Sequence, residues 1–227
     1  MEMEKEILVA LAGNPNSGKT TIFNNLTGAR QHVGNWPGVT VEKKEGTLRW
    51  GDYLLRVVDL PGTYSLSAHS IDELIARNFV VEERPDVVVD IVDASNLERN
   101  LYLALQFMEL EARLVIALNM MDVAESRGFR IDVKGLEKFL GVPVVPTVAT
   151  KKIGMEELVR AIIAVASKDE KIGVQINYGE EIEAELRKIE DLIRKEPSLN
   201  KYPPRWLALK LLEGDQEVRK LFEGGEG

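Results

Sequence analysis

The sequence contains no cysteine and only two histidines, His32 and His69, among its 227 residues. The first absence excludes a disulfide framework, a thiolate zinc site, a cysteine nucleophile and cysteine-ligated iron–sulfur chemistry, and it suits a reducing compartment. The second leaves too few imidazoles for a histidine metal cage. No apolar run approaches the roughly 18 residues needed to cross a bilayer. The opening MEMEKEILVAL also puts acids where a secretory signal carries bases, so a soluble, cytosolic chain is expected. Basic residues are in the minority, 29 against 37 acids for a formal charge of −8, which argues against a broad nucleic-acid or anionic-membrane surface. What is present is ordinary: 44% hydrophobic and 29% charged residues suffice for a buried core. The last residues, Phe222 to Gly227, carry no capping element and read as a tail or as the cut end of a longer protein.

Short runs rich in Val, Ile and Leu alternate with longer helical patterns, the signature of βαβ units in an α/β fold. Strands are expected over Glu6–Ala12, Glu42–Arg49, Tyr53–Val58, Asp86–Val92, Leu114–Asn119 and Val142–Pro146. Helices are expected over Lys19–Leu26, Ile71–Glu82, Leu97–Glu109, Val133–Leu140 and Met155–Ala166. The polar turn Trp50-Gly51-Asp52 predicts an antiparallel hairpin in an otherwise parallel sheet of six strands, with helices on both faces. Beyond Ser167 the strand runs stop and charge thickens, with 14 acids and 10 bases from Asp169 to Gly227. This predicts an α/β unit over 1–168 and a small all-helical subdomain over 169–227, with helices near Glu180–Arg194, Arg205–Leu212 and Asp215–Phe222.

Gly13-Asn14-Pro15-Asn16-Ser17-Gly18-Lys19-Thr20 follows a strand and opens a helix, matching G-x-x-x-x-G-K-[ST] in the context that pattern requires. Its glycines let successive N–H groups point inward and cradle phosphate oxygens at a helix N-terminus. The expected nucleotide contacts run through Asn14, Asn16, Ser17, Gly18, Lys19, Thr20 and Thr21. Lys19 reaches the β- and γ-phosphates, and the Thr20 hydroxyl is a hard oxygen donor suited to Mg²⁺.

The base is read elsewhere. Asn119-Met120-Met121-Asp122 ends a buried strand on the side where open α/β sheets bind ligands. A carboxylate at Asp122 accepts from both the ring N–H and the exocyclic amine of guanine, which adenine does not offer in that arrangement. Asn119 braces the base and the phosphate loop, and Met120 stands where the commoner form carries lysine. Val148-Ala149-Thr150 follows the next strand, where a small Ala149 lets a backbone N–H approach the guanine O6. Asp59-Leu60-Pro61-Gly62 fits D-x-x-G: Asp59 holds Mg²⁺ through a water, and the Gly62 N–H senses the γ-phosphate. Thr40 is a second candidate Mg²⁺ ligand, on a segment from Arg30 to Val41 that reads as a mobile loop; Trp36 on that exposed loop serves either a contact with a further domain or simple packing. Thr63 occupies the place of the water-orienting glutamine of many GTPases, so slow turnover is expected.

Together, GNPNSGKT from Gly13, VGNWPGVTVEKKEG from Val33, DLPGTYSL from Asp59, SIDELIA from Ser70 and NMMD from Asn119 resemble the N-terminal cytosolic G domain of the FeoB ferrous iron transporters. The likeness covers about residues 6–165, and the helical part resembles that family's nucleotide-stabilising subdomain by position and composition. It implies binding and slow hydrolysis of GTP to GDP, with Lys19, Thr40, Gly62 and Asn16 as the catalytic set. It also implies a polytopic membrane domain following in the same protein, at the cytoplasmic face of the membrane, and leaves room for a small cytosolic accessory protein. Related loops bind K⁺ through the asparagine at position 16, placing positive charge where an arginine finger acts elsewhere. No iron site is visible in this chain. Two readings compete with transport coupling. One is an RNA-associated GTPase, against which the acidic appendage counts; the other is a binding switch that scarcely hydrolyses.

Overall fold

The computed structural model describes residues 5–67, 69–168 and 175–223. Its strands are β1 (Lys5–Gly13), β2 (Gln31–Asn35), β3 (Glu42–Trp50), β4 (Tyr53–Asp59), β5 (Val87–Asp93), β6 (Leu114–Asn119) and β7 (Val144–Pro146). They form one seven-stranded sheet in the order β2-β3-β4-β1-β5-β6-β7. The core pairs, β4–β1–β5–β6–β7, are parallel, while β2–β3–β4 is antiparallel. The central strands are apolar on both faces because helices cover both, which is why VVVDIVD and LVIALN read as unbroken runs.

The helices are α1 (Lys19–Thr27), α2 (Ile71–Glu83), α3 (Leu97–Glu109), α4 (Met121–Ser126), α5 (Val133–Leu140), α6 (Met155–Ala166), α7 (Glu180–Ile193), α8 (Pro204–Glu213) and α9 (Gln216–Glu223). One apolar layer packs α1 and α6 on one face through Ile22, Phe23, Leu158 and Ile162. The opposite layer packs α2 and α3 through Phe79, Val80, Leu103 and Phe107, and it runs on without a break into Leu186, Trp206 and Leu207 of the C-terminal helices. Polar ties reinforce that junction. Arg77 of α2 donates to Asp215 at 2.8 Å, both nearly sealed from solvent, and Tyr178 donates to Glu109 of α3. Arg205 of α8 grips Glu183 of α7 through both carboxylate oxygens at 2.6 and 2.8 Å, which pulls the Glu183 carboxyl down to about 2.

Three expectations need correction. The sheet has seven strands and not six, because β2 lies within the segment expected to be a loop. All five residues of β2 are exposed, so it leaves no apolar alternation in the sequence; its pairing with β3, from Gln31 opposite Gly46 to Asn35 opposite Glu42, is a backbone matter. Trp36 is buried, edge-on to Phe79 with centroids 5.6 Å apart and with the Lys43 ammonium 4.9 Å from its ring. The short connection between β2 and β3 folds back over α2, and that carries the indole inward. Finally, α4 was not foreseen: at six residues it is too short for a helical period to show. The boundary expected at 168/169 falls at the edge of a stretch outside the described residues.

Candidate nucleotide site

The C-terminal ends of β1, β4 and β6 deliver three loops to one edge of the sheet. The first, from Gly13 to Lys19, owes its path to two glycines. Gly13 has φ +153°, and a Cβ there would meet the Ile91 carbonyl at 2.7 Å; Gly18 has φ +92°, and its Cβ would collide with Asn119 Nδ2. Asn16 is left-handed at φ +66° and exposed on the rim, whereas Asn14 and Ser17 are buried beneath it. Lys19 donates to Asp59, the last residue of β4. Burial raises the Asp59 carboxyl above its ordinary value, and the Lys19 ammonium opposes that rise. Thr20 is exposed in the first turn of α1 and Thr21 half-buried behind it.

The second loop follows Asp59. Gly62 lies over the phosphate loop, close enough that a Cβ would sit 3.4 Å from Pro15 Cα, and the Thr63 N–H donates to the Gly13 carbonyl at 3.3 Å. The Thr63 hydroxyl is turned into its own loop, donating to the Ser65 carbonyl at 2.7 Å, so it does not present itself to a bound water. Glu73 fixes the loop's far end. It closes a capping box with Ser70 and also accepts from the Ser65 hydroxyl at 2.7 Å and the His69 N–H at 3.0 Å.

The third loop reads as the base pocket. Asn119 is 2% exposed and binds three partners: its Nδ2 donates to the Ser17 carbonyl at 2.9 Å, and its Oδ1 accepts from the Ala149 N–H at 3.0 Å and the Thr147 hydroxyl at 3.2 Å. One side chain therefore joins the phosphate loop to the Val148–Thr150 segment. Met120, left-handed at φ +61°, brings its methyl near Gly18. Asp122 stands at the mouth with one carboxylate oxygen on the Val123 N–H at 3.0 Å and the other on the Lys151 ammonium at 2.9 Å. The hydrogen bond from Lys151 holds its carboxyl below the ordinary value. Val148 and Ala149 are buried and Thr150 is exposed.

Every expected residue except Thr40 thus lies at or just beyond the ends of β1, β4, β6 and β7 or in the first turn of α1, with the phosphate loop bonded to the D-x-x-G loop and, through Asn119, to the segment after β7. Thr40 is exposed on the connection between β2 and β3, and among the described residues no hydrogen bond ties it to Lys19, Thr20 or Asp59. Sequence reasoning missed Thr147, which orients Asn119; Asn25, whose side chain donates to the Ala149 carbonyl at 2.7 Å; and Lys151. Thr147 and Lys151, each two residues from Ala149, had a positional signal; Asn25 had none. A separate cleft of about 540 Å³, lined by Arg84, Arg113, Lys201 and Tyr202 among others, lies at the opposite ends of β5 and β6 and shares no residue with these loops.

A parallel sheet ending in a phosphate loop, a D-x-x-G loop and an N-x-x-D loop defines a nucleotide-binding domain of the G-domain class. Comparison with known proteins narrows the class. Residues 7–162 match the family model described as ferrous iron transport protein B, and residues 178–226 match the FeoB cytosolic helical domain. The chain belongs to the FeoB family. It is 53% identical to the Fe(2+) transporter FeoB of Methanocaldococcus jannaschii over 98% of its own length and 33% of that protein. It is 49% identical to a Porphyromonas gingivalis protein, described as an Fe(2+) transport protein A/Fe(2+) transporter FeoB fusion, over 94% of its own length and 26% of the other. The chain thus spans about a quarter to a third of these relatives. The crystal structure of the cytosolic domain of the T. maritima FeoB iron transporter in GDP form I superposes with a TM-score of 0.91 at 43% identity, covering 98% of this chain and 86% of that one. The GMPPNP form of the same domain superposes equally well, covering 97% and 87%. The helical match leaves the RNA-associated reading without a module to support it. No helix among the described residues is long and apolar enough to cross a membrane.

Proposed function

We propose that this chain binds guanine nucleotide, hydrolyses GTP slowly and thereby times ferrous iron passage through a membrane portion of the same protein. The observation that carries the reading is the Asn119 side chain, three residues ahead of Asp122, which locks the phosphate loop to the Val148–Thr150 segment. GDP and GMPPNP are named in the neighbouring T. maritima structures, which supports the choice of ligand.

The roles follow from placement. Guanine docks against Asp122, displacing the exposed Lys151 ammonium, while Ala149 offers a backbone N–H and Met120 covers the base. The Lys19 ammonium leaves Asp59 for the β- and γ-phosphates, freeing that carboxylate. Thr20 and Asp59 are hard oxygen donors on adjoining loops and fit Mg²⁺, with Thr40 joining only if its loop moves. Bound there, Mg²⁺ supplies charge neutralisation on the phosphate oxygens. Asn16, exposed on the rim, is the residue that would hold K⁺. Gly62 senses the γ-phosphate through its N–H, a role that its backbone's nearness to Pro15 of the phosphate loop supports. Because Thr63 is engaged within its own loop, no side chain there orients the attacking water, and turnover is slow. The nucleotide state passes to the C-terminal helices through α2, which the D-x-x-G loop enters and which Arg77 joins to Asp215.

The test is GTP hydrolysis by the purified chain with Mg²⁺, in KCl and in NaCl at equal ionic strength, beside Asn16→Ala and an ATP control. GTP turnover without ATP turnover supports the reading, and K⁺ stimulation lost in Asn16→Ala supports the cation role. Equal use of ATP would overturn the guanine assignment.

A further inference from the structure

Buried polar side chains almost always find a partner. Among the described residues six such atoms lack one, and four of them are the two amide atoms of Asn14 and the two carboxylate oxygens of Asp90. Both residues are sealed, at 3% and 1% exposure. The sheet places them together. In the β1–β5 pairing Asp90 lies opposite Ala12, and Asn14 is two residues further along. Alternation puts Asp90 with Val88 and Val92 on the α2/α3 face, away from Ile91. A Cβ on Gly13 would point to Ile91 Cβ at 3.2 Å on the α1/α6 face, so the next residue, Asn14, turns to the side of Asp90.

We propose that Asp90 is a protonated positioning residue of the phosphate loop, joined to the Asn14 amide through internal water. An ionised carboxylate so deeply buried with no partner is far costlier than a neutral one. The neutral acid offers one donor and one acceptor to an amide that offers both in return, and a bridging water satisfies all four groups. Burial alone raises the Asp90 carboxyl, to about 8, with no neighbouring charge of either sign contributing. Of the ionisable groups on the elements around it, Arg77 bonds Asp215, Lys19 bonds Asp59, Glu109 accepts from Tyr178, Glu73 closes the α2 capping box and Arg99 lies over the Tyr64 ring; among the described residues no side chain, Asp72, Glu82, Glu83 and Glu98 included, bonds Asp90. Asn14 is also the footing of the loop, since its carbonyl accepts the Ser17 N–H at 3.1 Å. Loss of the Asp90 proton places an unpaired negative charge beneath the loop that holds the polyphosphate.

The inference rests on reading Gly13–Thr20 as a phosphate cradle, and two measurements separate the two ideas. Infrared difference spectra of the chain labelled at its aspartate carboxyls should show a protonated-acid carbonyl band at pH 7 that bleaches through pH 8 and is missing in Asp90→Asn. The label excludes Glu109, and this result needs no nucleotide. Affinity for a fluorescent GDP should then fall about tenfold in the wild type at pH 9, one unit above the Asp90 midpoint. Asp90→Asn should retain only the weaker decline that guanine's own alkaline ionisation causes. No band at pH 7 in the wild type, or superimposable pH profiles for the two proteins, would overturn the proposal. Failure to bind GDP at any pH, with the band present, would instead count against the nucleotide reading.

Discussion

Asp215→Ala should cost far more than an ordinary ion pair. The Arg77 and Asp215 side chains are each only 6% exposed, 2.8 Å apart, and the guanidinium also lies 5.7 Å from the Trp206 ring centroid. Removing the carboxylate leaves a buried guanidinium with no counter-charge, which costs about 3–5 kcal/mol. It also removes a cap, because the other Asp215 oxygen accepts the Val218 N–H at 3.0 Å, worth about 1 kcal/mol. Against a total stability of about 5–15 kcal/mol this is a large share. Urea denaturation followed by tryptophan fluorescence reads it as a lowered midpoint. The pair Arg77→Met with Asp215→Leu should recover most of the loss, since replacing both charges by apolar groups leaves nothing uncompensated. A loss below about 1 kcal/mol for Asp215→Ala, the level of exposed pairs, would refute the argument. So would a double variant no more stable than the single one.

Asn119→Ala leaves the Ser17 carbonyl and the Ala149 N–H without their partner, at about 1–3 kcal/mol for each buried group stranded, and GDP affinity should fall with stability. Calorimetric titration beside thermal melting checks both; an unchanged GDP affinity would contradict the bracing role. Trp36→Ala should cost about 3–5 kcal/mol by emptying the space beside Phe79, measured as a fall in the denaturation midpoint, whereas an exposed loop tryptophan would cost almost nothing. Asp90 also has a stability signature in pH. The unfolded chain gives up this proton near 3.8 and the folded chain holds it to about 8, so Asp90's contribution is full below pH 3.8 and is lost as pH rises to about 8, at about 1.4 kcal/mol per unit. Asp90→Asn should flatten that component in denaturation curves taken across pH 5 to 9, where identical slopes would count against a buried neutral acid.

Much of the fold was legible because the central strands are buried on both faces and leave unbroken Val, Ile and Leu runs between capped helices. Val87–Asp93 and Leu114–Asn119 stand within a residue of their expected bounds, and so do α7, α8 and α9. The edge strand Gln31–Asn35 was not, because it buries nothing and is defined by main-chain pairing alone. The same distinction holds at the site. Lys19, Asp59, Asn119 and Asp122 sit in motifs whose spacing is dictated by phosphate and base chemistry, and the structure brings their loops together. Asn25 acts through Ala149, a contact that spans 124 residues and leaves no local pattern. Whether Trp36 packs inward was not legible, because a Gly- and Pro-containing loop says nothing about which way it folds. Thr40 is placed by its motif rather than by any contact observed here.

The central claim is that this domain selects guanine through Asp122, and exchanging that side chain's chemistry tests it most directly. Asp122→Asn replaces one acceptor by a donor, which matches the carbonyl that xanthine carries in place of guanine's exocyclic amine. Competition against a fluorescent GDP analogue in the wild type, and against a fluorescent XDP analogue in the variant, gives affinities for GDP and XDP. The account predicts that the variant loses affinity for GDP and gains it for XDP, with thermal stability unchanged. Retained GDP preference in a folded Asp122→Asn protein would contradict it.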